Sequence, residues 1–255
     1  MAAQYQALKA LAQTGADLNF WQEFFFKFYQ AFLENDRWKL YLNGIPTTLM
    51  VTALALALGV VLGSVVALVR TGHDQQRTGH NNPILAVLNA VCKVYVTVIR
   101  GTPMMVQLLI MGMVIFKSSR NFTMVGALSL GINSGAYVAE IIRGGLMAVD
   151  PGQMEAGRSL GLNYLTTMVE VIIPQAVRSV LPALGNEFII LLKDTSLITV
   201  IGGKELLYAA QGIMNRTYEA MYPLLITAVI YLALVMVFTW LLGKFEGRLR
   251  QSDRR

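Results

Sequence analysis

No charged residue occurs between Lys39 and Arg70, and this gap sets the first limit on what the chain can fold into. The gap contains LMVTALALALGVVLGSVVALV, and about 20 mostly apolar residues are enough for a helix to cross a bilayer. Of the 255 residues, 55% are hydrophobic and 14% are charged, whereas soluble domains carry about 25% charged residues. The sequence therefore predicts an all-α membrane protein in contact with the lipid bilayer.

Four more stretches are predicted to cross the membrane. Two of them lack charge, namely FTMVGALSLGINSGAYVA before Glu140 and PLLITAVIYLALVMVFTWLLG before Lys244. Residues 84–116 contain two charged residues and an internal Pro103. We expect one long, kinked helix there, because an internal proline removes a backbone hydrogen bond. Residues 176–199 contain four charged residues and are expected to face other protein rather than lipid.

Basic residues set the predicted orientation. Five spans place the termini on opposite sides, and the tail after Gly243 carries more Lys and Arg than Asp and Glu. Because Lys and Arg favour the cytoplasmic side, we expect a cytoplasmic C-terminus, with a basic tail at 246–255, and an N-terminus outside. The other segments expected in the cytoplasm are 70–83, with Arg70 and Arg77, and 140–175, with Arg143 and Arg158.

The segment 1–39 precedes the predicted transmembrane domain of residues 40–245. Within it, residues 20–33 (FWQEFFFKFYQAFL) are rich in aromatic side chains and too short to span a bilayer. We expect a helix that lies in the membrane interface, with a partner-binding segment outside the membrane as the alternative. The net charge of +6 sits at segment ends and in the tail, which argues against a nucleic-acid partner.

Cysteine and histidine give no sign of a metal site. Cys92 is the single cysteine, and it lies in an apolar stretch where a small apolar role is expected. His73 and His80 lie in one polar loop without a further ligand at zinc-site spacing.

The stretch EAGRSLGLNYLTTMVEVIIP, residues 155–174, belongs to a predicted cytoplasmic loop of residues 146–174. Its pattern predicts a short helix, a glycine turn and a second helix that runs to Pro174. Five apolar side chains would form a face that no membrane covers: Leu160, Leu162, Tyr164, Leu165 and Met168. An exposed apolar face of this kind indicates docking to another protein.

This stretch resembles the signature loop of permease subunits of binding-protein-dependent ABC importers. That loop reads Glu-Ala-Ala, three residues, Gly, nine residues, Ile, one residue, Leu-Pro. The chain departs from it at Gly157, Val171 and Ile173. Gly157 is expected to loosen the helix, since glycine costs roughly 1 kcal/mol relative to alanine. The resemblance assigns ATPase coupling to Glu155, Ala156, Gly157, Leu160, Gly161, Leu162 and Pro174.

Three other stretches narrow the resemblance to the polar amino acid uptake family: RGTPMMVQLL (100–109), GAYVAEIIRGG (135–145) and GNEFIILLKDTSL (185–197). The resemblance covers residues 43 to about 245. It implies a type I ABC importer permease with five transmembrane helices, multi-pass in the bacterial inner membrane. The expected cargo is a polar amino acid, cationic or neutral, such as arginine, histidine, lysine or glutamine.

The same resemblance implies the partners. They are an ATP-binding cassette ATPase dimer, a second permease subunit, identical or homologous, and a periplasmic or surface-anchored solute-binding protein. The chain lacks the G-x-x-x-x-G-K-[ST] phosphate loop, so it is expected to be no enzyme and to hold no cofactor, with ATP and Mg²⁺ bound by the ATPase.

Ionisable residues at membrane depth are the candidates for the substrate path. Glu187, beside Asn186, could pair with a substrate ammonium or a cationic side chain, and Arg100 could meet a carboxylate. The alternative is that Glu187 and Arg100 pair with each other or with Lys193 and Arg178. The other candidates have expected structural roles: Asp194 and Ser196 at a helix end, Tyr137 in packing, and Glu140 in a cytoplasmic gate with Arg143 or Arg178.

Two other classes of function fit the sequence less well. A stand-alone secondary amino acid transporter or channel usually shows more spans or an inverted repeat, and neither is visible in the sequence. A membrane enzyme would need a clustered nucleophile and base, or a set of metal ligands, and the two histidines lack such partners.

Overall fold

The computed structural model describes residues 1–14, 17–76 and 82–252, so that the predicted positions Arg77, His80 and 253–255 lie outside the description. The helices of the described residues are α1 (Ala2–Gln13), α2 (Phe20–Phe32), α3 (Trp38–Asp74), α4 (Pro83–Gly101), α5 (Met104–Leu109), α6 (Phe122–Met147), α7 (Pro151–Ser159), α8 (Tyr164–Thr167), α9 (Ile173–Asp194), α10 (Leu206–Thr217) and α11 (Met221–Ser252). Two π-helical turns, Ile110–Ile115 and Met168–Ile172, and two 3₁₀ turns, Glu34–Asp36 and Thr195–Ile201, join some of them.

Four of the described helices are long and apolar enough to cross a membrane, namely α3, α4, α6 and α11. They coincide with four of the five predicted spans. Helix α9 has 22 residues, but its charged side chains lower its hydropathy. Its role as the fifth crossing therefore stays a prediction.

The stretch predicted as one kinked helix over 84–116 is instead two helices. Helix α4 ends at Gly101, and Thr102 is extended with φ −119° and ψ 145°. This break follows from Pro103, whose ring disfavours the helical conformation for the residue before it. The side-chain amide of Gln107 donates to the carbonyl oxygens of Ile99, at 2.8 Å, and Thr102, at 3.2 Å, so that the break remains hydrogen-bonded.

Helices α3 and α6 form the centre of the molecule, and glycines bring them together. A Cβ added at Gly59 would lie 2.7 Å from Ser134 Oγ, and one added at Gly63 would lie 2.7 Å from Val138 Cβ. Small residues allow close backbone approach between helices in a bilayer. In the most apolar 18-residue stretch of α6, 61% of the residues are buried, whereas only 6% are buried in the corresponding stretch of α11. The outer helices therefore surround a closely packed central pair.

Glu205 ties three helices together through a buried carboxylate. It caps α10 by accepting from the backbone N–H groups of Leu207, at 2.6 Å, and Tyr208, at 3.2 Å. Thr48 of α3 donates to Glu205 Oε2 at 3.2 Å, and the Tyr231 hydroxyl of α11 donates to the same oxygen. Nothing in the local sequence marks this role of Glu205, because Thr48 and Tyr231 lie far from it along the chain.

Candidate functional site

The predicted helix pair in the loop 146–174 is present. Its first helix, α7, has a capped N-terminus. Asp150 Oδ1 accepts from the Gly152 backbone N–H at 2.7 Å, and Pro151 occupies the first turn of α7. Both features favour helix initiation. Glu155 and Ala156 are exposed on α7, as a coupling surface requires.

Gly161 makes the turn between α7 and α8. Its φ of +85° lies in the left-handed region, where a side chain is disfavoured. The Gly161 N–H donates to the Arg158 carbonyl at 3.0 Å, and the Leu162 N–H donates to the Gly157 carbonyl at 3.1 Å. This pair of bonds is a Schellman motif, so the glycine sets the angle between the two helices.

Gly157 does not loosen the loop, contrary to the prediction. It is buried against α8, where an added Cβ would lie 2.5 Å from Thr167 Cγ2. The prediction considered only the helix propensity of α7. The structure shows a contact between α7 and α8 that leaves little room for a side chain at residue 157.

The second helix of the loop does not end at Pro174, contrary to the prediction. Helix α8 continues through the π turn Met168–Ile172 into α9, which reaches Asp194. Inside a regular helix, a proline clashes with the carbonyl four residues earlier. The wider π turn directly precedes Pro174 and accommodates it, so the loop is mechanically continuous with α9.

The apolar face predicted for the loop is exposed. Leu160 is 83% exposed and Leu165 is 72% exposed, and Leu162 and Tyr164 also lie on the surface. Met168 is half-buried. A cluster of exposed apolar side chains of this kind is typical of an interaction surface.

A cavity of about 860 Å³ separates this loop from the ends of α3 and α6, and Gln75 and Tyr164 line it. The Tyr164 hydroxyl donates to Gln75 Oε1. Burial raises the pKa of the Tyr164 hydroxyl, so the group stays protonated and can donate. This bond connects the start of α8 to the end of α3.

Glu187 is the buried carboxylate of the predicted substrate path. It is 6% exposed, and its Oε1 accepts from the Ser134 hydroxyl of α6 at 2.7 Å. Among the residues that the structure describes, no ion pair joins Glu187 to Arg100 or Lys193. Ser134 was not singled out from the sequence, although a polar Asn133–Ser134 pair inside an apolar span was a usable signal.

Arg100 and Tyr137 lie together, on α4 and α6. The Arg100 guanidinium carbon is 5.2 Å from the centroid of the Tyr137 ring, within the range of a cation–π contact. Both residues are exposed. Asn186 is also exposed, one residue before Glu187.

The end of α9 is braced by one of the two predicted residues. The Ser196 hydroxyl donates to the Lys193 carbonyl at 2.8 Å. Asp194, by contrast, makes no side-chain capping bond to the turn that follows it and is half-buried. Asp194 follows Glu187 by seven residues on α9, which is about two turns, so the two residues lie on the same face of the helix.

Glu140 forms the expected pair with Arg143, at 3.0 Å from Nη2. It also pairs with Arg70 of α3, which the sequence placed only in a cytoplasmic segment. These contacts join the ends of α3 and α6 that precede the loop.

The family described as "Binding-protein-dependent transport system inner membrane component" matches residues 83–251. The glutamine transport system permease protein GlnP of Escherichia coli (strain K12) is 36% identical over 215 residues, which cover 83% of this chain and 93% of that protein.

Two solved structures are also similar. An amino acid ABC transporter crystallised with histidines is 42% identical, with a TM-score of 0.74 over 82% of this chain and 94% of that chain. The MetNI methionine ABC transporter in an inward-facing conformation is 18% identical, with a TM-score of 0.69 over 84% of this chain and 98% of that chain. At that identity the second similarity concerns the fold alone.

Proposed function

The chain belongs to the family of binding-protein-dependent transport system inner membrane components, and we propose that it carries a polar amino acid along a path lined by α4, α6 and α9. It is a permease subunit of an ATP-driven amino acid importer. The observation that carries this function is the exposed apolar loop held by Gly161. Its exposed apolar side chains form a docking surface through which a separate ATPase can move the permease.

We propose that the loop docks to an ATP-binding cassette ATPase dimer, which binds ATP and Mg²⁺. The coupling residues are Glu155, Ala156, Leu160 and Leu162 on the surface, with Gly157, Gly161 and Pro174 shaping the loop. Movement of the loop would pass through the continuous α8–α9 helix and change access to the path, as rigid rocking of helices does in transporters.

The test of docking is a matched pair of substitutions at residue 161. Gly161→Val should weaken copurification of the ATPase, since a left-handed conformation costs about 1–2 kcal/mol for most residues. Gly161→Asn should retain it, because asparagine visits that conformation more readily. Equal copurification and equal ATP-driven transport in both variants would remove the basis for docking through this turn.

Glu187 is the proposed contact for a substrate ammonium or cationic side chain, with Arg100 for the carboxylate. Asn186, Tyr137, Asp194 and Ser196 complete the proposed path. Support comes from the burial of Glu187 at membrane depth with a neutral partner, Ser134, because buried ionisable groups in spans are usually functional. The named relatives handle glutamine or were crystallised with histidines, which fits a neutral or cationic amino acid.

The cargo can be tested in proteoliposomes that contain the permease, its ATPase and the solute-binding protein. Glu187→Gln keeps the size and the acceptor for Ser134. Uptake of a cationic amino acid should fall about tenfold, equivalent to about 1.4 kcal/mol, while glutamine uptake falls less. Glu246→Gln, in the tail, is the control. Equal losses for both cargoes would reject charge pairing, and uptake without ATP would indicate a secondary transporter.

We propose five spans in the bacterial inner membrane, with α9 as the fifth, the N-terminus outside and the tail 246–255 in the cytoplasm. The transmembrane domain is residues 40–245, and a second permease subunit, identical or homologous, completes the pathway. After Cys92→Ser, an impermeant maleimide added to spheroplasts should label a Tyr218→Cys variant but not a Leu160→Cys variant. The reverse pattern would invert the topology.

A further inference from the structure

The N-terminal helices α1 and α2 form a hairpin that is held by specific contacts. Asn19 Oδ1 accepts from the Gln22 N–H at 2.9 Å, and Gln22 Oε1 accepts from the Asn19 N–H at 3.0 Å. This capping box fixes the start of α2. The Tyr5 ring of α1 stacks on Phe26 and Tyr29 of α2, with centroids 5.4 and 4.4 Å apart.

Glu34 connects this hairpin to the first span. Its Oε1 accepts from the Tyr5 hydroxyl at 2.8 Å and from Lys9 Nζ at 2.9 Å, while its Oε2 lies 2.9 Å from Arg37 Nη1. Arg37 is buried and immediately precedes α3. Glu34 therefore joins α1 to the residue that precedes α3.

The first two turns of α2, which include Phe24 and Lys27, contact the start of α11. Lys27 Nζ lies 3.1 Å from Glu219 Oε2, and the Phe24 ring contacts the Tyr222 ring with centroids 5.7 Å apart. Helix α11 begins at Met221 and is one of the membrane-crossing candidates. Helix α2 thus contacts the ends of two spans, and its 13 residues extend about 20 Å at 1.5 Å per residue.

Two large aromatic side chains on α2 are left uncovered by the described protein. Phe20 is 72% exposed and Trp21 is 74% exposed. Next to them, Phe24 is 43% exposed and leads through Tyr222 to the exposed apolar surface of α11, which starts at Met221 with 59% exposure. Since α11 is long and apolar enough to cross a membrane, its exposed apolar surface is expected to face lipid, and the aromatic face of α2 continues that surface.

We propose that α2 lies in the headgroup region of the bilayer, parallel to its plane, with Phe20 and Trp21 inserted among the lipids. Tryptophan is enriched at this depth, and helices that lie in the interface carry Trp and Phe on the face buried among the lipids. Lys27 lies two turns after Phe20 on the same side of α2, and its pair with Glu219 holds α2 against α11, while a lysine side chain at this depth can extend its charged end to water. The occupant of the aromatic face is lipid, not the solute-binding protein or a second permease.

The three tryptophans of the chain, Trp21, Trp38 and Trp240, allow a direct test. A variant with Trp38→Phe and Trp240→Phe reports Trp21 alone, and the full chain is placed in nanodiscs with lipids brominated either near the headgroup or near the acyl-chain end. Headgroup-proximal bromine should quench Trp21 fluorescence about twofold more than terminal bromine, as expected for an interfacial side chain.

The control variant carries Trp21→Phe and Trp38→Phe and reports Trp240, which is 58% exposed on α11 and must be quenched by lipid. Stronger quenching of Trp21 by terminal bromine would place α2 in the hydrocarbon core and overturn the proposal. Quenching of Trp21 by aqueous iodide but by neither lipid would also overturn it, because the aromatic face would then lie in water or against a protein.

Discussion

The central crossing of α3 and α6 and the loop of α7 and α8 both depend on glycine, but for opposite purposes. At the crossing, Gly59 and Gly63 allow two spans to approach until side chains of one meet the backbone of the other. In the loop, Gly157 and Gly161 hold two short helices together, and the large apolar residues point outward.

The difference follows from the surrounding solvent. In lipid, apolar side chains gain little by leaving the solvent, so helices associate through close packing of small residues. In water, an exposed leucine carries a hydrophobic driving force of about 1.5–3 kcal/mol that a partner can use. The crossing is therefore suited to be a rigid centre, and the loop is suited to bind and release a motor.

The largest expected effect is at the crossing. Gly63→Leu should destabilise the chain by about 3 kcal/mol or more, through overpacking. A Cβ at residue 63 would lie 2.8 Å from the backbone nitrogen of Ala139 as well as against Val138. Adding Val138→Ala should therefore fail to rescue it.

Thermal unfolding of the purified chain in detergent measures this effect, and Gly243→Leu is the control. Gly243 lies on α11 with no atom within 4 Å of an added Cβ. If Gly63→Leu unfolded at the same temperature as Gly243→Leu, the crossing would not be the rigid region.

In the loop, the largest effect is expected on binding and not on stability. Leu165→Asp removes an exposed apolar contact and should weaken ATPase binding about tenfold or more, because a buried leucine contributes about 1.5–3 kcal/mol. Leu165→Met, which nearly conserves volume, is the control. An affinity measurement should find the loss only in the aspartate variant, whose unfolding temperature should match that of the parent.

Much of this contrast could be read from the sequence. The uncharged stretch after Lys39 predicted α3, and the glycine-centred pattern at 155–174 predicted a helix pair with an exposed apolar face. Both signals are local, since they depend on solvent preference and on backbone conformation within a few residues. The docking and substrate roles attached to these residues remain proposals.

The misjudged features depend on contacts between distant residues or on longer backbone effects. The helix propensity of glycine predicts a looser helix at Gly157, but propensity does not include the contact of this residue with Thr167 across the turn. Ser134 and Glu187 are 53 positions apart, and nothing in either segment alone specifies their hydrogen bond. The break at Thr102 could have been foreseen, because the residue before a proline is restricted as well as the proline itself.

A smaller effect is expected at the bond between the loop and α3. Tyr164→Phe removes the donor to Gln75 and should cost about 1 kcal/mol at this contact. We expect ATP hydrolysis and assembly to continue while the amino acid imported per ATP decreases. Gln75→Ala should have a similar effect, and the double variant should be no worse than either single one. An additive loss in the double variant would show that the two side chains act separately.

The smallest effect is expected at Gly157, where it contrasts most directly with Gly63. Gly157→Ala gains about 1 kcal/mol of helix propensity, but its Cβ would meet Thr167 Cγ2 at 2.5 Å. All three nearest atoms belong to the Thr167 side chain, so shortening that residue can relieve the contact. ATPase affinity should fall slightly in Gly157→Ala and return in the double variant with Thr167→Ala. If Thr167→Ala failed to rescue residue 157, the loop would be as closely packed as the crossing, and the distinction between a rigid centre and an adaptable surface would be lost.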